Sequence, residues 1–539
     1  GDARFVRPIH WLLCLFGDRP VEFRYGGAVS ADLSRGHRFM APDYFRVRNP
    51  ASYSTALRER SVIVDNRVRK EEVGKAVNEL ASAHGGIPCG DEELLNKVSD
   101  MVEYPVAVWG CFDEEYLKLP RGVLINTMVE HQYFFPVELP DGALMPNFIA
   151  VGNTEARDPA VVVHGNEKVL RARLADAMFF FTEDSARPLE DFAGGLKSVL
   201  YQEKLGTSYE KMERFRELAF SLGSLLSIGS PEMIERAALL CKADLTTLMV
   251  NEFPKLQGTM GREYALISGE EEEVAEAISE HYLPRYAGDL LPETSTGALL
   301  SMADKLDTIV GSFGIGVKPT GNVDPHGLRR QTLGIINIIM GKRYRISLSD
   351  MLDKALEILR DKITGDSQEV KAEVMEFFAR RLENMFLSEG YRYDLVDAAI
   401  GSDFDDPVDL KLRLDALTLF SQRQDFEALT TTFKRMANII PPERLKGVKQ
   451  SLLAEEAEEK LYARAEEIGK RVDKLLVDKR YMDTLIAIAD IKEQVDSFFD
   501  NVLIMTDDRE LQHNRLALLC EVADLFSTVA DFSKVVVDG

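Results

Sequence analysis

Residues Asp496–Leu519 read DSFFDNVLIMTDDRELQHNRLALL. An aromatic pair, a short apolar run and an acidic turn lead through an Asn-Arg step into a Leu-rich segment. Asp507 and Asp508 sit in front of that segment, where carboxylates cap a helix and meet the positive end of its dipole. Asn514 and Arg515 then begin the helix that carries Leu518, Val522 and Leu525. Working outward, nearly everything beyond residue 410 has helical periodicity. SLLAEEAEEKLYARAEEIGKRVDKLL puts Leu461, Ile468, Val472 and Leu475 on one stripe. In DFEALTTTFKRMANII, Phe426, Leu429, Phe433, Met436 and Ile440 follow 3-4-3-4 spacing and define a buried stripe. At about 100° per residue, Thr431, Lys434, Arg435 and Asn438 fall together on the opposite face. A guanidinium, an ammonium, an amide and a hydroxyl so grouped are donors suited to phosphates and splayed bases. The alternative is an ordinary solvated helix face.

The rest of the chain is less uniform. HWLLCLFG (10–17), PVAVWGCF (105–112) and LMPNFIAVGN (144–153) are short apolar runs of the kind buried strands have. LRERSVIVDNRVRKEEVGKAVNELASAHGG reads as a helix ending at a Gly pair. From about residue 165 the helical period takes over, in NEKVLRARLADAMFFFTED and YEKMERFRELAFSLGSLL. SPEMIERAALLCKADLTTLMV has Ser230 as a candidate N-cap and Pro231 at the first helical position. GSFGIGVKPTGNVDPHGLRR (311–330) reads as a loop between two helices, and GSDFDDPVD (401–409) as another break. No run approaches the roughly 20 apolar residues that cross a bilayer.

At 539 residues the chain allows about three or four domains. Five cysteines lie far apart with no C-x-x-C pair, which argues against disulfide scaffolds and zinc knuckles and for a reduced, cytoplasmic compartment. A net charge of −24 opposes nonspecific nucleic-acid binding, so any such surface must be a local basic patch. There is no Walker loop, nucleophile elbow or H-E-x-x-H pair. GSFGIG lacks the strand-loop-helix setting of a dinucleotide site and reads as a turn.

One constellation suggests metal chemistry. In LLCKADL, helical spacing puts Asp244 four residues after Leu240 and four before Leu248, on the apolar face. In SMADKLDTIVG, Asp304 and Asp307 lie beside the stripe Leu299, Met302, Leu306 and Ile309. A carboxylate on an apolar face needs a partner, and two such helices could bring Asp244 and Asp304 together as ligands. These helices resemble those of HD phosphohydrolases, whose site uses a His, a His-Asp pair and a distant Asp. Asp244 and Asp304 match the aspartates. Ala243 stands where the paired His belongs, and no first His is evident upstream. A site of about four ligands short of two imidazoles is disabled for a divalent metal. The readings are a hydrolase or a retained helical scaffold, and no metal is expected.

FKRMANI and LIMTDDRELQHNRLALL resemble the anticodon-binding helical bundle that closes arginyl-tRNA synthetase and its relatives, with Gln512-His513 where Arg and a variable residue are common. Further segments resemble one family in its own order: RFVRPIHW, RGHRFMAP, GNEKVLRARLADAMFFF, KADLTTLMVNEFPKLQGTMGREYA, ADKLDTIVGSFGIG and DPHGLRRQTLGI. The family is the beta subunit of bacterial-type tetrameric glycyl-tRNA synthetase. Its usual LLLEIGTEELP-like opening is absent, so the resemblance implies a missing N-terminal segment.

The resemblance implies a multidomain α+β fold. Residues 1–160 would be a mixed α/β region similar to the B3/B4 module of phenylalanyl-tRNA synthetase. A helical connector (161–225), a degenerate HD-like helical domain (226–365), a helical linker (366–408) and the anticodon-binding bundle (409–539) would follow. It implies an alpha-two beta-two assembly that charges tRNA-Gly with glycine. ATP and Mg would be used at the alpha subunit, with no cofactor or catalytic residue on this chain. Thr431, Lys434, Arg435, Asn438, Asn514 and Arg515 become candidates for the anticodon arm. Arg329 and Arg330 become candidates for tRNA phosphates on the acceptor side. The competing classes are the metal phosphohydrolase and an assembly subunit that touches no RNA. Editing by the B3/B4-like region rests on analogy, and glycine, the smallest substrate, gives it little purpose.

Overall fold

The computed structural model describes residues 9–424, 426–441 and 443–537. Arg4–Pro8, which open the RFVRPIHW segment, lie outside the described residues. The chain is multidomain and α+β, and its contacts divide it into two units: residues 1–188 with 244–268, and residues 189–243 with 269–539.

The first unit is built on a four-stranded antiparallel sheet, in the order Ile87–Pro88, Phe135–Glu138, Leu144–Gly152, Val106–Cys111. The two longest strands are the expected PVAVWGCF and LMPNFIAVGN runs. Gly110 pairs with Phe148, and a Cβ at Gly110 would lie 2.3 Å from the Phe148 ring, so only glycine fits there. Helices Asn66–Ala83 and Glu92–Met101 bury Val73, Val77, Ala81, Leu94 and Val98 with Phe135, Val137 and Ile149 of the sheet. The first of these helices was expected from Leu57. It starts nine residues later, because the Asp65 side chain accepts the Arg67 N–H and the β-branched run Val62–Val64 before it is extended.

The HWLLCLFG expectation is also corrected. It breaks into two two-residue strands, Leu12–Leu13 and Leu15–Phe16, in separate small sheets. Gly17, at positive φ, turns the second strand back onto Arg19–Pro20, and Phe16 is left 84% exposed.

The long helix Pro159–Ser185 ends in a buried carboxylate. Asp184 accepts the backbone N–H groups of Leu248 (3.0 Å) and Met249 (2.9 Å) and the Tyr264 hydroxyl (3.0 Å). The first two are the free N–H groups that open helix Leu248–Glu252, so Asp184 caps that helix from a distant segment.

Among its described residues the second unit is built of helices and one small hairpin, Leu200–Gln202 with Gly206–Thr207. At its centre helix Ser295–Gly314 is buried along almost its whole length. Apart from the Asp304–Asp307 stretch its residues are apolar or small on every side, which leaves no face for water, and it is surrounded by Ser208–Leu226, Glu272–Glu280, Leu328–Lys342, Leu348–Leu359 and Ser367–Ser388. Gly311 and Gly314 belong to its last turns rather than to the loop expected there. Cβ atoms on them would meet Leu205 at 2.9 Å and Ile363 at 2.2 Å, so these glycines serve close packing.

Among the described residues, seven α-helices from Tyr393 to Ser527 complete the unit. Phe420, Phe426, Phe433, Phe526 and Phe532 form an aromatic core among them. Leu461, Ile468 and Val472 are buried as the stripe predicts, and Leu475 is half-buried near the helix end.

Candidate nucleic-acid interface

Helix Phe426–Ala437 buries Phe426, Leu429, Phe433 and Met436. Its other face carries the predicted donors: Thr431, Arg435 and Asn438 are exposed and Lys434 is half-buried. Neither Lys434 nor Arg435 makes an ion pair among the described residues. Arg435 instead lies over the Phe499 ring, 4.3 Å from its centroid. Phe499 is the outer member of the aromatic pair in the opening stretch. On helix Lys492–Asn501 two adjacent aromatics cannot share a face, so Phe498 is buried in the bundle and Phe499 turns to the surface. Asp496 joins the two helices, accepting from the Thr432 hydroxyl (3.1 Å) and the Lys492 ammonium (2.6 Å). A guanidinium held flat on a ring is preordered, and both can stack on a base. Phe499 was missing from the candidates. The paired Phe498-Phe499 was the signal, since one of the two had to face out.

The apolar run that follows alternates. Val502 and Ile504 are buried, while Leu503 and Met505 are 73% and 63% exposed. Asp508 then caps helix Arg509–Ser527 through the N–H groups of Glu510 and Leu511, as the acidic turn predicted.

Asn514 and Arg515 are corrected on two counts. They stand in the second turn of that helix rather than at its start, and both are buried. Asn514 clamps the backbone of Lys449, accepting its N–H at 2.7 Å and donating to its carbonyl at 3.2 Å. Arg515 donates to Glu458 at 2.7 Å and to the Leu503 carbonyl at 2.8 Å. A buried Arg–Glu pair has no free donor geometry for RNA. Asn514 fixes the 449 segment against the helix, and Arg515 fixes the 458 and 503 segments.

The two aspartates of the expected metal constellation are spent on other partners. Helix Pro231–Leu240 begins as predicted, with Ser230 capping and Pro231 first, but it ends before the KAD segment. Lys242 takes a left-handed φ of 66°, which breaks the helical register, and Asp244 falls in a short 3-10 turn instead of on a helix face. Its carboxylate accepts the backbone N–H groups of Gly258 (2.6 Å) and Gly261 (3.1 Å). Ala243 is buried.

Asp304, on the central helix of the second unit, faces two ammonium groups: Lys211 at 3.0 Å and Lys242 at 3.1 Å. Lys211 also reaches Asp307 at 3.1 Å, and Arg214 binds Asp307 through two nitrogens at 2.6 and 3.1 Å. Lys242 stands 3.2 Å from His281 Nε2, while His281 Nδ1 lies 2.6 Å from the Ile278 carbonyl. Nδ1–H therefore donates to Ile278, and neutral Nε2 accepts from the lysine. Burial and the Lys242 charge hold the His281 pKa well below its usual value. Burial alone would raise the Asp304 pKa, yet Lys211 and Lys242 hold it far below the carboxylate range. Burial lowers the Lys305 pKa to about 7. Two lysines thus stand on the carboxylate that a cation would need, and the donor set does not fit a divalent metal. Among the described residues no group of three or more His, Cys, Asp or Glu is placed to hold one. Helical periodicity pointed to Asp304 and Asp307, but Lys211, Arg214, Lys242 and His281 converge on them from other elements and were not foreseen.

Arg329 and Arg330 open helix Leu328–Lys342. Arg329 donates to the Gly321 carbonyl at 2.8 Å, and Asp324 accepts the N–H groups of Leu328 and Arg329 at 2.9 and 3.1 Å. Arg330 is exposed, neither arginine makes an ion pair among the described residues, and both line a cavity of about 510 Å³.

Comparison with known proteins bears on all of these features. Residues 1–401 match the glycyl-tRNA synthetase beta subunit model, and residues 429–532 match the DALR anticodon binding domain. The chain belongs to the glycyl-tRNA synthetase beta-subunit family. It is 48% identical over 535 residues to the glycine–tRNA ligase beta subunit of Geotalea uraniireducens, covering 99% of this chain and 78% of that one. Against the beta subunit of Trichlorobacter lovleyi the identity is 48% over 533 residues, covering 99% and 77%. Against that of Geobacter sulfurreducens it is 49% over 506 residues, covering 94% and 74%. This chain is accordingly a subunit of an aminoacyl-tRNA synthetase, and the donor face of Thr431–Asn438 with Phe499 lies inside its anticodon-binding domain. The metal phosphohydrolase reading is not favoured. No helix among the described residues is long and apolar enough to cross a membrane.

Proposed function

We propose that this beta subunit reads tRNA-Gly for an alpha-two beta-two glycine–tRNA ligase in the cytoplasm, with ATP, Mg and the aminoacylation site on the alpha subunit and no cofactor held here. The observation that carries the reading is the donor face of Thr431, Lys434, Arg435 and Asn438, whose two cations make no ion pair among the described residues, beside the Phe499 ring, on an otherwise acidic protein. Cations without carboxylate partners are available to phosphates, and a ring-backed guanidinium is available to a base. The acidic remainder repels other RNA, so a few well-placed groups supply both contact and selectivity. Arg329 and Arg330 extend the reading to phosphates on the acceptor side. The first 160 residues are read as B3/B4-like, and the region about Asp304 as a degenerate HD-like domain kept as scaffold. The test is the affinity of this chain for tRNA-Gly and for a noncognate tRNA at one salt concentration, since salt alone moves such affinities widely. Preference for tRNA-Gly is the expected result. Equal, weak binding to both would shift recognition to the alpha partner and leave this chain an assembly subunit.

A further inference from the structure

The cavity beside Arg329 and Arg330 holds more than the sequence offered. Helix Leu328–Lys342 faces it with Arg330, Leu333 and Asn337, and helix Ser367–Ser388 faces it with Arg381, Asn384 and Met385. The spacings are those of one stripe on each helix. Three arginines therefore line one space, and none of Arg329, Arg330 and Arg381 makes an ion pair among the described residues. By contrast, the buried Lys211, Arg413 and Arg515 of this unit pair with Asp307, Asp409 and Glu458.

Arg381 is the odd case. Its Nε is buried with no hydrogen-bond partner. Burial, with the like charges of Arg329 and Arg380 next, pushes its pKa down. The charges of Asp324 and Glu383 offset this only in part, and neither acid makes an ion pair with Arg381 among the described residues; the Asp324 carboxylate accepts two backbone N–H groups, and Glu376 pairs with Arg380. Arg381 thus makes no ion pair among the described residues of a chain with 89 acidic and 65 basic residues.

The cavity has two characters. Its arginines form a fork-lined pole suited to phosphate oxygens. Leu333 and Met385 offer an apolar wall. The half-buried Asn337 amide has no hydrogen-bond partner among the described residues, and Tyr286 stands at the rim with its ring 62% exposed. A volume of about 510 Å³ lies within the range of sites that take one small organic ligand. We propose that this cavity binds a single nucleotide unit, its phosphate held by Arg329, Arg330 and Arg381 and its ring against Leu333, Met385 and Tyr286. The nucleotide is either one unit of bound tRNA or a free nucleotide, and the proposal rests in part on the acceptor-side reading of Arg329 and Arg330.

The test is calorimetric titration of the full chain with adenosine 5′-monophosphate and with inorganic phosphate, set beside its tRNA-Gly affinity. Saturable binding of the nucleotide, tighter than phosphate, is expected. Arg381→Gln should weaken it about tenfold or more, the loss of one charge-assisted contact. Arg330→Gln, at an exposed position that leaves folding intact, should do the same, and Arg380→Gln should leave it unchanged. Competition between nucleotide and tRNA, with both weakened in Arg381→Gln, would identify the tRNA as the source. Nucleotide binding with unaltered tRNA affinity in both variants would identify a free nucleotide and overturn the acceptor-side reading alone. Loss of tRNA affinity in Arg330→Gln without nucleotide binding would overturn the cavity proposal alone. Nucleotide binding unchanged in Arg381→Gln and Arg330→Gln would also overturn it.

Discussion

The cluster around Asp304 and the face around Arg435 are both groups of charged side chains on helices, and they behave oppositely. Around Asp304 every cation has a carboxylate or carbonyl: Lys211, Lys242 and Arg214 share Asp304 and Asp307, and Lys305 donates to the Leu283 carbonyl. Around Arg435 the cations have no carboxylate within the described residues, and the nearest ordered partner is a ring. Charges taken out of water persist only when neutralised. Charges left in water need no partner and stay available for one. The inner cluster is therefore part of the scaffold, and the outer face is where a polyanion can bind.

The largest test of that contrast is Asp304→Ala. It leaves Lys242 without a carboxylate in the core and takes one of two from Lys211, and should cost about 3–5 kcal/mol of stability in a denaturant melt. A loss below about 1 kcal/mol, the size of an exposed pair, would mean the cluster is solvated and open to other roles. Next is Arg515→Ala, which leaves Glu458 buried without its guanidinium. It should cost about 3 kcal/mol, with any fall in tRNA affinity tracking the fall in folded protein. Affinity lost at full stability would return Arg515 to the RNA-binding set.

A smaller effect separates the two regions by pH. His281 stays neutral in the folded protein, while in the unfolded chain it takes a proton at its ordinary value of 6.5. The unfolded state then binds the extra proton, so stability falls as pH drops below about 6.5, by up to ~1.4 kcal/mol per pH unit for this one group. Depressed carboxylates, Glu210 with a pKa of about 2 among them, add their own losses further down. The diagnostic is the difference between the wild type and His281→Gln, whose melts should lack the part of the slope that begins near pH 6.5. Superimposable slopes would show that His281 is protonated inside.

Much of this was legible beforehand. The helical stripe at Phe426–Met436, its donor face, the Asp508 cap and the Ser230–Pro231 helix start all follow from local spacing, and each stands in the structure. What failed was what distant segments decide. Local spacing puts Asp244 on a helix face, because nothing local shows that Lys242 breaks the helix to reach Asp304 and His281. Arg515 was read as a surface cation because its partner, Glu458, lies 57 residues away. GSFGIG reads as a turn, which holds for Gly316 at positive φ, whereas Gly311 and Gly314 are helical and must be small against Leu205 and Ile363. Phe499 lay between these cases: the pair was visible, but the ring's role required knowing which helix packs beside it.

The central claim is that the Arg435 face meets tRNA, and the most direct measurement is the affinity of Arg435→Ala for tRNA-Gly at fixed salt, taken with its melting temperature. The account predicts about 1–3 kcal/mol weaker binding at an unchanged melting temperature, as for loss of a base contact. Unchanged affinity would contradict it, and the exposed cations of this helix would then be a solvated face and nothing more.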